Sequence, residues 1–253
     1  MSKEVVKKDQ LTSLAINEGD FADIANEFNI DSSDILIPKI LLMQPTSVFV
    51  TDGEAVLGDF RNSVTKEKIG TVNEPFEFIP FHFTKTWDIV SVDDAGKYIR
   101  KEEFKIGGEN LPWEFVEEGK NLKRIKRLDF FGFTPKALER GDILPNILSF
   151  RSTGYREGTK ILTQFKLNIS KKKLPWSNIW TIKGEKKKNE NNQSYCVPKI
   201  DIAGETDEAT LKVCLDWYKN IKSMASRIVV DDSDVQREAA SDVTHDVSDT
   251  GNF

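Results

Sequence analysis

PFEFIPFHFTKTWDIVSV, residues 75–92, carries the strongest strand signal in the chain. Ile79, Phe81, Phe83, Trp87 and Ile89 share one parity, and His82, Thr84, Thr86 and Asp88 the other. That two-residue period is the mark of a pleated strand with one strongly apolar face. Pro80 lacks a ladder donor, so a bulge or an edge position is expected there. DDAG (93–96) reads as a turn and KYIRKEEFKI (97–106) as the returning partner, which makes a hairpin.

Upstream, DILIPKILLMQ (34–44) is an apolar run broken by Pro38 and reads as an edge or entry strand. TKEKIG (65–70) reads as a turn between two short extended pieces. Residues 1–34 form a polar segment with one short amphipathic helix, in which Phe21, Ile24, Ala25 and Phe28 follow Asp20 as N-cap. Downstream, GGENLPWEFVEEGKN (107–121) reads as a loop, and RLDFFGFTPKAL (127–138) and DILPNILSF (142–150) as short extended segments. STGYREGTKILTQFKLN (152–168) suits a helix capped by Ser152 or Thr153, with Gly158 as its weak point. SNIWTIKGEKKKN (177–189) and SYCVPKIDI (194–202), joined by ENNQ, form a second hairpin. A last helix is expected from Thr206 as cap, with Asp207 and Glu208 in its first turn and Leu211, Leu215, Tyr218, Ile221, Ala225 and Ile228 as its apolar stripe.

Hairpin, strand, helix, hairpin and terminal helix is the order of an OB barrel. The expected class is therefore α+β and mainly β: a five-stranded OB-like barrel over residues 35–230, with a helix between strands three and four. Residues 231–253 hold seven acids against one arginine, and this composition predicts a disordered acidic tail.

The full chain of 253 residues has a net charge of −5, but the charge is unevenly spread. Residues 1–119 hold 12 basic and 23 acidic side chains, residues 120–199 hold 19 and 6, and residues 200–253 hold 5 and 12. A basic block flanked by acid steers an anionic partner to one part of the surface. No apolar run approaches the roughly 20 residues of a membrane helix. Met1 to Gln10 is charged with no apolar stretch behind it, so neither a secretory signal nor a membrane partner is expected. Cys196 and Cys214 are too few for a disulfide framework and read as small buried hydrophobes in a cytoplasmic protein.

Several chemistries lack their residues. The glycine-rich pieces have no P-loop spacing, and two histidines, His82 and His245, leave almost no material for a metal site or a Ser-His-Asp triad. Asp93 or Asp94 with Glu103 and Lys105 outlines a D…ExK nuclease pattern. In a chain with 30% charged residues such a pattern arises easily, and the reading is non-enzymatic with no cofactor.

The basic block interleaves cations with rings, the combination that single-stranded nucleic acid requires. Cations follow the phosphates, and each base stacked on an exposed ring is worth about 1–3 kcal/mol. The candidate cations are Arg151, Arg156, Lys160, Lys171, Lys172, Lys173, Lys183, Lys186, Lys187 and Lys188, preceded by Arg124, Lys126 and Arg127. Some of Phe150, Tyr155, Trp176, Trp180 and Tyr195 are expected to stack, and the others to fill the core. In the tail, Asp242, Asp246, Asp249 and Phe253 are the candidate partner-binding residues: the acidic tail would compete with DNA for the basic groove, and Phe253 would enter a partner's pocket.

Three stretches, GDILPNILSFRSTGYREGTKILTQF (141–165), LPWSNIWTIKGEKKKNENNQSYCVPKI (174–200) and LDWYKNIK (215–222), together with the acidic tail ending in Phe253, resemble the single-stranded DNA-binding proteins of tailed phages. IPKILLMQPTSVFV (37–50) and GEAVLGDFRNSVTKEKIG (53–70) are similar to segments of other phage proteins. The resemblance implies an OB-fold core that coats single-stranded DNA in phage replication and recombination, in the cytoplasm of the infected host. It also implies a tail that contacts replication or recombination proteins through its last residue. Gly251 and Asn252 stand before Phe253 where bacterial tails usually have proline. The rival expectations are a strand-annealing recombination factor and a virion structural or packaged protein. A homo-oligomer fits any of the three.

Overall fold

The computed structural model describes residues 36–92, 98–105, 111–117, 119–142, 144–189 and 192–224, all within the compact unit Leu36–Phe253. The helix expected near Phe21, the DDAG turn and the tail with Asp242, Asp246, Asp249 and Phe253 lie outside the described residues. So do the side chains of Glu103 and Lys105.

In chain order the elements are strand β1 (Lys39–Leu42), helix α1 (Val48–Thr51), strands β2 (Phe60–Asn62), β3 (Lys68–Gly70), β4 (Phe76–Val92), β5 (Tyr98–Lys105), β6 (Glu114–Glu117) and β7 (Lys120–Phe133), then helix α2 (Pro135–Glu139) and strand β8 (Asn146–Arg151). A 3-10 turn (Ser152–Gly154) leads into helix α3 (Tyr155–Ser170), strands β9 (Asn178–Lys188) and β10 (Ser194–Glu205), and helix α4 (Glu208–Met224). The fold is mixed α+β, dominated by strands in one strongly curled half-barrel sheet. The sheet runs β10-β9-β4-β7-β8-β1-β2-β3, with β5 beside β4 and β6 beside β7. Ten strands among the described residues replace the five expected. One of the additional pieces, β6, and the first two residues of β7 come from the segment 107–121, whose Gly and Glu content reads as loop.

The quoted stretch is β4, 17 residues long, and both of its faces are buried for much of its length. Its register against β7 shifts between Pro80 and His82, the bulge expected at the proline. The extra residue exchanges the faces. Before it, Phe76 and Phe78 enter one core with Leu128, Phe130, Phe150, Ile161, Phe165, Trp180, Ile182 and Ile200. After it, Phe83 joins that same core although its parity is opposite. Ile79 and Phe81 enter the second core, against Phe131, Phe133, Trp176 and the α4 residues Cys214 and Ile221. Helix α3 thus covers one face and α4 the other. Opposite the bulge stands Gly132, where a Cβ would strike the Phe78 ring and the Ile79 carbonyl. Phe60, Phe78, Phe81, Phe130, Phe133 and Phe150 are fully buried, each contributing about 1.5–3 kcal/mol of transfer free energy.

Three local expectations change. Strand β1 is interior, parallel to β8 and antiparallel to β2, because Pro38 precedes the ladder and still accepts from the Ile147 N–H through its carbonyl. Helix α3 starts at Tyr155 behind the 3-10 turn, with Gly154 rather than Ser152 or Thr153 at its N-cap position. The cap of α4 is Asp207, which accepts from the Thr210 N–H at 2.9 Å, while the Thr206 hydroxyl donates to the Trp176 carbonyl.

The curl is held at one end by a side chain. Gln44 Nε2 donates to the Cys196 carbonyl at 2.7 Å, and the Cys196 N–H donates to Gln44 Oε1 at 3.0 Å. The amide thereby imitates a strand on the outer edge of β10. Nearby, Gly184 passes over Gly58 so closely that a Cβ would lie 2.9 Å from the Gly58 carbonyl. Replacing Gln44 by Leu would orphan both peptide groups of Cys196, at about 1–3 kcal/mol for each. Urea unfolding of Gln44→Leu should show a loss in that range or above, and an unchanged midpoint would refute the closure role.

Candidate nucleic-acid interface

The β9–β10 hairpin alternates between core and surface around Trp180, Ile182 and Ile200, while Cys196 and Val197 are both buried and residues 185–188 at its tip are all exposed. Trp180, Ile182 and Ile200 point into the core, so the residues between them point away. The register sets Lys183 opposite Lys199 and Lys187 opposite Tyr195. Residues directly opposite in an antiparallel pair share a face, which puts three lysines and a tyrosine together. The ladder from Lys183 to Lys187 spans about 13 Å at the usual strand rise. Lys183, Lys186, Lys187 and Lys188 are exposed, and Lys199 and Tyr195 are half-buried.

Like charges directly opposite repel, and two carboxylates temper the ladder. Lys187 Nζ lies 3.4 Å from Glu185 Oε2, and Lys199 Nζ lies 3.6 Å from Glu157 Oε1. Glu157, in the first turn of α3, also accepts from Lys160 Nζ at 2.7 Å and from the Ile200 N–H at 3.2 Å. Partial burial alone would raise its carboxyl, but these donors and the two lysine charges hold it below the usual carboxylate value. Lys173 Nζ pairs with Glu205 at 2.7 Å. The exposed Lys187–Glu185 and Lys173–Glu205 pairs are worth at most about 1 kcal/mol each, so a phosphate can displace them. Arg156, Lys171 and Lys172 are exposed on and just after α3.

Three of the five candidate rings belong to the core. Phe150 is fully buried and meets the Phe130 ring edge-on at 5.7 Å, with Gly158 of α3 pressed against it. Trp180 shares that core, and Trp176 packs on Tyr218 at 5.2 Å beneath α4. Strand parity puts Trp180 and Ile182 into one core, whereas Trp176 precedes β9 and enters the other. Tyr155 and Tyr195 remain half-buried. Arg127 is also no phosphate binder. It is buried between Asp88 and Asp129, at 2.8 Å from each. Arg151, directly opposite it on β8, is half-buried beside a cavity of about 70 Å³.

A second group of rings and cations escapes a reading by segments. Trp87 on β4 is paired with Lys126 on β7, whose Nζ sits 5.2 Å from the ring centroid. Arg124 lies 3.6 Å over the Phe115 ring, and its backbone and side-chain N–H groups donate to the carbonyls of Trp113 and Pro112. The β4–β7 register assembles this group, and the only sequence signal for it is the spacing of Arg124 and Lys126 on one strand parity.

The two groups join through the start of α3. Gly154 packs on Pro198 of β10, and the next residue, Tyr155, faces Trp87 and Lys126 across a cleft.

A family model described as Pam3 phage gp34-like protein matches residues 6–102. This indicates a phage protein. The match takes in β1 to β4 and most of β5 and stops before the basic block. No curated protein and no solved structure matches the chain.

Among the described residues, no three His, Cys, Asp or Glu side chains gather as a metal site, and no helix is long and apolar enough to cross a membrane. His82 is pushed below its ordinary value by burial against Phe131 and Tyr218. Burial pushes the thiol of Cys196 up to about 11 and that of Cys214 up to about 12. Reactivity belongs to the thiolate. At pH 8 the folded protein should therefore resist a thiol reagent such as dithionitrobenzoate, and denaturant should release both cysteines. Rapid labelling of the native chain would contradict this.

Proposed function

We propose that this phage protein binds single-stranded DNA without sequence preference, during replication or recombination of the phage genome. The observation that carries the reading is the lysine ladder of the β9–β10 hairpin, Lys183 and Lys199 with Lys187 beside Tyr195, in the most basic part of the chain. Arg156, Lys160, Lys171, Lys172 and Lys173 extend the positive surface along α3, and Lys186 and Lys188 extend it at the hairpin tip. These cations take the phosphates, and half-buried tyrosines are left to meet bases. A rigid duplex hides its bases from such rings, which favours the single strand. In this reading the hairpin and α3 act as the OB-type binding surface of the curled sheet. The acidic tail, with Asp242, Asp246, Asp249 and Phe253, competes for the lysines and, once displaced, offers Phe253 to a replication or recombination partner.

The test is a fluorescence titration with oligo-dT at two salt concentrations, with duplex and RNA competitors. Affinity should fall steeply with salt, and Lys183→Gln with Lys187→Gln should flatten the log–log slope by about 0.7 for each phosphate that is no longer neutralised. Equal affinity for duplex, or indifference to salt, would sink the reading. Removing residues 231–253 should leave binding unchanged or tighter, and a marked weakening would refute tail competition.

A further inference from the structure

The cleft at the start of α3 is lined by Trp87, Leu111, Trp113, Lys126, Ser152 and Tyr155 and encloses about 280 Å³. That volume stands at the lower end for small-ligand sites, about 300 Å³, and suits one flat ring system. Three of its six lining residues are aromatic, and its charged member is a cation. Trp87 is buried and forms a floor with Lys126 above its ring. Trp113 and Tyr155 are half-buried and form the walls. The segment from Leu111 to Trp113 is tied down by Arg124. The Arg124 N–H donates to the Trp113 carbonyl at 2.8 Å and its guanidinium to the Pro112 carbonyl at 2.9 Å, while the same guanidinium lies on Phe115.

The geometry points to this cleft as a nucleobase subsite, in which one unpaired base of a single strand inserts between Trp113 and Tyr155 while Lys126 meets an adjoining phosphate. The inference rests on the single-strand reading above and adds to it a place for a base, built from Trp87, Trp113 and Lys126. The hairpin ladder supplies backbone contacts, and the packing of Gly154 on Pro198 connects the two surfaces. Stacking needs only the face of a ring, so the subsite accepts any base, and a paired base cannot reach it.

The experiment compares a short oligo-dT with an abasic deoxyribose-phosphate chain of the same length, using the full protein. The unchanged chain should prefer oligo-dT. Trp113→Ala should weaken oligo-dT by roughly 5- to 150-fold, the range for removing one stacked base, and leave the abasic strand unchanged. Trp113→Phe keeps a ring and should restore most of the affinity, which separates stacking from misfolding. Lys126→Gln should weaken both strands alike. Equal binding of oligo-dT and the abasic strand by the unchanged chain would overturn the subsite and leave single-strand binding standing. An unaltered oligo-dT affinity in Trp113→Ala would do the same. If the unchanged chain binds neither strand, the functional reading falls and the subsite with it.

Discussion

Along one edge β4 hydrogen-bonds β7 from Ile79 to Ser91, and along the other it takes β9 at Phe76–Phe78 and β5 from Thr86 onward. A strand has only two edges, so this division commits the first part of β4 to the curled half-barrel and the second to a four-stranded ribbon, β5-β4-β7-β6. The Pro80–His82 bulge sits between the two parts and exchanges the faces, so that α3 and α4 each find an apolar surface on opposite sides. Arg127 ties the strands together where they leave the bulge, held by Asp88 of β4 and Asp129 of β7. Removing one partner from such a buried set leaves an uncompensated charge, typically at about 3–5 kcal/mol.

The second constraint is the outer edge of β10. An open edge is a template for unwanted pairing. Here the Cys196 peptide is occupied by Gln44, Pro198 has no N–H to offer, and the Ile200 N–H is taken by Glu157. Glu157 belongs also to the cation surface, where it holds Lys160 and Lys199. One carboxylate thus closes the sheet edge and positions two lysines of the proposed interface, so fold and site share a residue.

Part of the site is legible in the sequence because strand periodicity is a local property. The alternation in SNIWTIKGEKKKN places Trp180 and Ile182 against Lys183 by pleat alone, and the hairpin follows from the polar ENNQ between two such runs. Phe150, Trp176 and Trp180 stand among the cations in the chain, and composition does not say which rings the core takes. The core claims all three once α3 and α4 dock on the two faces. The Trp87–Lys126 and Arg124–Phe115 pairs are illegible for another reason. They join residues far apart in the chain, or in a segment whose glycines and glutamates read as loop, and only the β4–β7–β6 register brings them together.

By itself the sequence determined the long β4 strand with its proline bulge, the lysine-bearing hairpin, the two covering helices and the concentration of positive charge between acidic flanks. Each of these follows from interactions within a few residues, or from counting. The tertiary structure alone decided that ten strands among the described residues join one curled sheet, that Gln44 pins its β10 edge, which rings are buried, and that Trp87, Trp113 and Tyr155 surround a cleft. Those outcomes depend on which strand edges meet, and strand pairing is settled by contacts that no local pattern encodes.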